Sequence, residues 1–329
     1  MASDDTRSAE DRLIAELFAP LAMHPGALGL TDDAAFLTPG PGTDLVLTTD
    51  AVVAGVHFFP ADDAHDIAKK ALRVNFSDIA AKGATPRGFL VSLAIAPDTD
   101  VDWLRGFADG LRADSEMYNC PLLGGDTDRT PGPLAISVFM VGSVPNGAMV
   151  RRAGAKPRDR IFVTGTIGDA SLGLQSRKGA TWRLDHTQRD HLLSRYLLPR
   201  PRTVLADAIR THASAAMDVS DGLVGDLAKL CRVSGIGGIV EVARVPLSDA
   251  ARAVIAVDPA MRDLALTGGD DYEILCTVPP DRAASFRAAA QTAGVDVTEI
   301  GEIASGQGAR FVDKAGRVLR FKQASFSHF

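Results

Sequence analysis

A chain of 329 residues, 46% hydrophobic and 23% charged, has the composition of a globular protein and the length of about two domains. Asp plus Glu outnumber Lys plus Arg by 41 to 35, and the formal net charge of −6 argues against a nucleic-acid partner, whose backbone needs a basic surface. Cys120, Cys231 and Cys276 form no CxxC pair, so neither a zinc cage nor a disulfide framework is expected, and a reducing compartment fits.

The chain opens with Asp4, Asp5, Glu10 and Asp11 ahead of any apolar stretch, the opposite of a secretory signal. Residues 1–7 read as a polar, disordered tail, and Leu13, Ile14, Leu17, Phe18 and Leu21 as one stripe of a helix over 9–21. Short strands are expected at 34–37 and 45–49 and a long helix over 64–82. Phe89–Ala96 reads as a buried strand, 101–117 as a helix capped by Asp100, and 134–141 as a strand. The longest apolar run, Phe89–Pro97, falls well short of the ~20 residues of a membrane span, so no membrane partner and a cytoplasmic location are expected.

The basic, Gly- and Pro-punctuated stretch Arg151–Pro157 then interrupts the pattern, which places a domain boundary near 147. Beyond it, strands at 160–164, 237–242, 272–278 and 297–301 alternate with helices at 169–177, 188–197, 202–212, 222–234 and 281–293. Alternation of this kind argues for an α/β class.

The chemistry is carried by acidic residues expected in turns after apolar runs. They are Asp32-Asp33, Thr48-Thr49-Asp50, Asn75-Phe76-Ser77-Asp78, Gly124-Gly125-Asp126, Asp218-Val219-Ser220-Asp221-Gly222 and Gly268-Gly269-Asp270-Asp271. A polyphosphate repels carboxylates, but magnesium prefers hard oxygen ligands and bridges the two. Several loops of one carboxylate each could therefore hold magnesium against ATP and draw charge off a phosphoryl group in transit. Taken singly, each motif also has a structural reading. Asp50 could close a strand, Asp78 could sit on a solvated helix face, the Gly-Gly-Asp runs could be turns, and Ser220 or Asp221 could cap a helix. Gly165-Thr166-Ile167-Gly168-Asp169 lacks the Lys of a Walker A and reads as a structural turn. Arg151 and Arg152 are either linker charges or phosphate contacts, and His57 either caps backbone or meets substrate.

In order along the chain, Thr48–Phe58, Lys70–Ala84, Gly124–Thr127, Arg152–Pro157, Val163–Thr166, Asp218–Leu223 and Gly268–Glu273 resemble thiamine-monophosphate kinases. Ser327-His328-Phe329 is similar to that family's Asp-His-Phe ending. The resemblance implies the aminoimidazole-ribonucleotide synthetase-like fold of α/β (α+β) class. Residues 1–146 would form an N-terminal domain that dimerises through its sheet, and 147–329 a C-terminal α/β domain. It implies magnesium-assisted, in-line transfer from ATP to thiamine monophosphate with Asp50, Asp78 and Asp126 at the chemistry. Asp33, Thr48, Thr49, Asp50, Asp78, Asp126, Asp218 and Asp221 would be the magnesium ligands. Gly125, Asp126, Arg152 and Ser220 would bind ATP, and His57 and Asp270 would approach the acceptor. The chain departs from the family at Thr31, where Gly is usual, at Asp270, where many members carry Glu, and at Gln323, in place of an aromatic.

Two alternatives compete. One is another ATP-using enzyme of the superfamily. A selenophosphate synthetase would carry an N-terminal reactive Cys, yet none precedes Cys120, and a hydrogenase-maturation enzyme would end in Cys. The other is a sensor that binds ATP and magnesium without turnover.

Overall fold

A computed structural model of the chain describes residues 12–322 and Ser325. The tail expected over 1–7, Gln323 and the closing Ser327-His328-Phe329 lie outside them. The described residues divide into two compact units. One runs up to Asn75 and adds Pro86–Pro145; the other takes Phe76–Thr85 and continues from Asn146.

The first unit is built on a mixed sheet of β1 (Thr43–Val53), β2 (Thr85–Ile95), β3 (Leu122–Arg129) and β4 (Ala135–Pro145), in the order β1-β4-β2-β3. β1 runs antiparallel to β4, and β2 parallel to β3. The helix expected over 64–82 is Ala64–Ala81, and the helix expected over 101–117 is Val101–Met117. Asp100 caps the latter, accepting the Trp103 amide at 2.7 Å, while Leu104, Phe107, Ala108 and Leu111 bury its apolar stripe. Arg73 grips the fully buried Asp114 with Nε at 2.6 Å and Nη2 at 2.8 Å, tying the two helices together.

Of the helix expected over 9–21, the described residues 12–21 are helical, passing from α geometry at Arg12 and Leu13 into a π turn, Ile14–Phe18, and a 3-10 turn, Ala19–Leu21, that holds Pro20. One early expectation fails. The segment 34–37 forms no strand; the Phe36 amide bonds Gly26 O at 3.0 Å instead of joining a ladder.

The second unit holds β5 (Arg160–Thr164), β6 (Ala215–Asp218), β7 (Gly237–Glu241), β8 (Ile274–Val278), β9 (Val297–Ala304) and β10 (Gly308–Val312), ordered β10-β7-β9-β5-β8-β6. Only β10 and β7 pair in parallel; the other pairs are antiparallel, so strand–helix alternation here does not give a parallel sheet. β5 is buried on both faces. Ile161 and Val163 join one core with Leu223, Leu227 and Leu230 of the helix Leu223–Ser234. Phe162 joins the opposite core with Ile209, Phe286 and Ala290. β6, β10 and the helices Asp249–Val257 and Met261–Thr267 were not expected; each is too short for a clear periodicity.

Candidate functional site

In the first unit, Thr48, Thr49 and Asp50 lie within β1 rather than in a turn after it. Side chains alternate along a strand, so Thr48 and Asp50 share the face of the buried Val46 and Val52. Thr49 points to the other face, with the exposed Leu45 and Leu47. No single ion takes all three side chains. The Asp50 amide donates to Asn75 Oδ1 at 3.0 Å, and Asn75, itself fully buried, donates to Ala71 O at 3.0 Å. The helix Ala64–Ala81 thus fixes the backbone of the residue expected to bind metal.

Asp126 also sits inside a strand, near a register shift between Phe89 and Leu90 of the partner β2. Gly125 is there for close approach: a Cβ on it would stand 2.0 Å from Val91 O. A cavity of about 910 Å³ beside this sheet is lined by Asp33, Thr49, Gly125 and Asp126, so four of the expected site residues do come together. His57 does not line it. Its Nδ1 accepts the Val53 amide at 3.0 Å, which leaves the proton of the neutral ring on Nε2, and its carbonyl accepts Lys70 Nζ at 2.8 Å. The capping role weighed for His57 is therefore present.

In the second unit, Asp218 ends β6 and is buried. Ser77 Oγ donates to it at 2.9 Å. Burial first, then the charge of Asp78, push its carboxyl up to about 8. Lys82 Nζ is committed to the Ala216 carbonyl at 2.8 Å, and burial pushes its own pKa down. Beyond Asp218 the chain turns through Val219–Gly222 against the loop Gly268–Glu273. Val219 N donates to Glu273 O, Tyr272 N to Val219 O and Asp270 N to Ser220 O, at 2.8–2.9 Å. Asp270 and Tyr272 have φ of 74° and 51°, unusual for side-chain-bearing residues and characteristic of functional loops. Asp221 is ion-paired with Lys229, and Arg152 is exposed.

Among the described residues no three His, Cys, Asp or Glu side chains gather as a metal cage. Magnesium rarely asks for one: it takes one or two carboxylates and completes its octahedron with water and substrate phosphates. A buried carboxylate beside a second one, as Asp218 is beside Asp78, fits that requirement.

The loop Gly165–Asp169 is structural, as its sequence suggested. Asp271 accepts from Gly168 N at 2.7 Å and Ala170 N at 3.3 Å, so the acceptor at this helix terminus is the chain's own carboxyl. The sequence reading missed what surrounds it. Asp169 is held by Thr166, Ser248 and His191, and Glu273 by Arg195, Arg202 and Thr164.

The family model for the AIR synthase related protein N-terminal domain matches residues 31–144, and that for the C-terminal domain matches 156–314. The chain is 46% identical, over 90% of its length and 84% of the relative's, to a thiamine-monophosphate kinase of Caulobacter vibrioides. It is similar to the crystal structure of such a kinase from Stenotrophomonas maltophilia K279a, with a TM-score of 0.82, 38% identity and coverage of 94% and 96% of the two chains. It is also similar to AaThiL complexed with AMPPCP and TMP, with a TM-score of 0.78, 30% identity and coverage of 97% and 94%.

Proposed function

We propose, for a chain that belongs to the thiamine-monophosphate kinase family of AIR synthase related proteins, that its carboxylates receive magnesium and that transfer to the acceptor is direct. The reaction is the ATP-dependent phosphorylation of thiamine monophosphate to thiamine diphosphate. The metal reading is supported by Asp218, a buried carboxyl that burial and the charge of Asp78 keep protonated near neutral pH, a proton that a bound cation would displace. Bound magnesium would supply positive charge to the phosphoryl group as it moves.

Within the second unit, Asp78, Asp218 and Asp221 are the proposed metal ligands, with Ser77 holding Asp218 in place. Ser220 and Arg152 would contact ATP, and Asp270 the acceptor. Within the first unit, Asp33, Thr48, Thr49, Asp50 and Asp126 are the proposed ligands, divided between the two faces of β1. Gly125 gives ATP access to backbone, and the half-buried His57 would approach the acceptor. The acceptor's phosphate oxygen is anionic at neutral pH, so the transfer needs neither a general base nor a phosphorylated enzyme.

The test follows ADP release with thiamine monophosphate present and absent. Release that depends on acceptor and magnesium, and falls at least ~100-fold in kcat for Asp50→Asn, Asp126→Asn or Asp218→Asn, is expected. Near-normal turnover in any of them at ordinary magnesium would remove that residue from the ligand set. Acceptor-independent hydrolysis, or binding without turnover, would point to the sensor.

Three coarser readings accompany this one. The domain division 1–146 and 147–329 is supported by the spacing of the two matched family models. A homodimer through the first sheet is supported by Leu45 and Leu47, which are 43% and 58% exposed side by side on one face of an edge strand. Sedimentation of wild type and Leu47→Glu tests it: a dimer that Leu47→Glu dissociates is expected, and a monomeric wild type would overturn it. A reducing, cytoplasmic setting is supported by three buried, unbridged cysteines; no described helix is long and apolar enough to cross a membrane.

A further inference from the structure

We propose that Asp226 is the positioning residue of the Ser220–Asp221 turn, fixing the backbone from which these two side chains reach nucleotide and metal. The proposal rests on the reading of Ser220 and Asp221 given above.

Asp226 looks in sequence like one more acid on a helix, yet it is fully buried. One of its carboxylate oxygens accepts two backbone amides, Ser220 N and Asp221 N, both at 3.0 Å. The other accepts Lys229 Nζ at 2.9 Å, and the same ammonium reaches Asp221. The helix Leu223–Ser234 begins at Gly222 with no side-chain cap on its first residue. Gly222 has a φ of 107°, and a Cβ there would lie 2.5 Å from the Thr267 backbone, so the chain cannot be capped by a larger residue at that point. Asp226 therefore reaches back from the first turn to do what a cap would do, but to the two residues ahead of the helix.

The opposite edge of the turn is pinned as well. Ser220 O accepts the Asp270 amide at 2.9 Å, and Gly269 lets that backbone approach, since its Cβ would stand 2.3 Å from Ser220 O. With main chain held from both sides, the half-buried side chains of Ser220 and Asp221 take their positions from the turn, the Asp221 carboxylate lying against Lys229. Outer contacts of this kind orient ligands, and their loss costs about 10–100-fold in metal affinity or activity.

The experiment compares the full-length Asp226→Asn, Asp226→Ala and Asp221→Asn variants. Binding of AMPPCP is titrated calorimetrically across magnesium concentrations, beside steady-state magnesium half-saturation and a thermal melt. Asp226→Asn keeps one oxygen for the two amides and loses the charge facing Lys229. Its nucleotide affinity in magnesium should fall about 10-fold, and that of Asp226→Ala further, while nucleotide affinity without metal changes less. If Asp226→Ala does not fold, Asp226→Asn decides. Variants of Asp226 that melt lower but bind magnesium nucleotide like wild type, while Asp221→Asn weakens, would overturn the positioning role. An Asp221→Asn that binds normally would instead overturn the ligand reading beneath it.

Discussion

Asp271 Oδ2 accepts the Gly168 amide at 2.7 Å, across 103 positions of sequence, and so fills the end of the helix Asp169–Arg177 with a carboxylate from the loop that also carries Asp270. Deleting that acceptor leaves a buried amide without a partner. Asp271→Ala should lose about 1–3 kcal/mol of unfolding free energy, and Asp271→Asn, which retains an oxygen, should lose less. Urea unfolding of the two variants at neutral pH measures both. Equal losses would mean that the amide is satisfied in some other way.

Asp169 and Asp271 sit together yet titrate in opposite senses. Burial would raise Asp169, but hydrogen bonds from His191, Ser248 and Thr166 outweigh it and hold the carboxyl below its usual range. Its folded pKa is depressed, so its stabilisation is present above the unfolded value of about 3.9 and lost as pH falls through the folded one. Burial, against the amide bond from Gly168, holds Asp271 well above the usual range. For a raised carboxyl the sign reverses: stability falls as pH climbs from about 3.9 toward the folded value. Asp169→Asn should therefore cost most at neutral pH and progressively less below pH ~4. Asp271→Asn should gain on wild type as pH rises above ~4. Denaturant unfolding from pH 3 to pH 8 would expose parallel curves if either assignment were wrong.

What the sequence made legible was local. The Asp100 cap, the stripe Ile67, Ala68, Ala71 and Leu72, and the strand Arg160–Thr164 are each specified by residues within a few positions of one another. Strand β1 was expected to stop at 49, with Asp50 in the turn that closes it, yet it runs on to Val53. Here the strand lies at a sheet edge, where both faces tolerate polarity. The supports of the site were not legible. Asn75 serves a residue 25 positions away, and Asp271 serves one 103 positions away. Asp226 gives no local sign that its carboxylate turns inward. The antiparallel order of the second sheet was hidden for the same reason, since strand pairing is a long-range choice.

Gly125 offers a direct test of how the first sheet presents Asp126. A Cβ at 2.0 Å from Val91 O cannot be accommodated by rotating a side chain, because the obstacle is backbone. Gly125→Ala must push β3 away from β2 and should cost at least ~1–3 kcal/mol, the scale of overpacking. Gly124→Ala, whose Cβ would meet Leu90 Cδ2 at 3.3 Å, should cost less, because that side chain can yield. Thermal melts of the two variants rank them, and the reverse order would show that β2 and β3 are not held in this register. Turnover should track the displacement of Asp126, so Gly125→Ala should also lose more activity than Gly124→Ala.

The acceptor's own phosphate should decide selectivity. Carboxylates stand in both units, at Asp33, Asp50 and Asp126 in one and at Asp78, Asp218 and Asp221 in the other, more than one ATP-bound ion calls for. Such a surplus is explained if a second phosphate, that of thiamine monophosphate, also enters through metal. Unphosphorylated thiamine brings a cationic ring and no phosphate, so on the proposed metal reading it would offer a carboxylate-held ion nothing to hold. Its hydroxyl must also lose a proton during transfer, whereas a phosphate oxygen is already anionic. Histidine is the obvious candidate to take that proton, and His57 is committed through Nδ1 to the Val53 amide. Binding and chemistry should suffer together, so discrimination should exceed the ~10–200-fold that a missing methylene gives. The measurement is kcat/KM for thiamine monophosphate and for thiamine at saturating ATP and magnesium. Equal values would mean that the acceptor phosphate is not read by the carboxylate-held metal, and the roles assigned to the surplus carboxylates would fall with it.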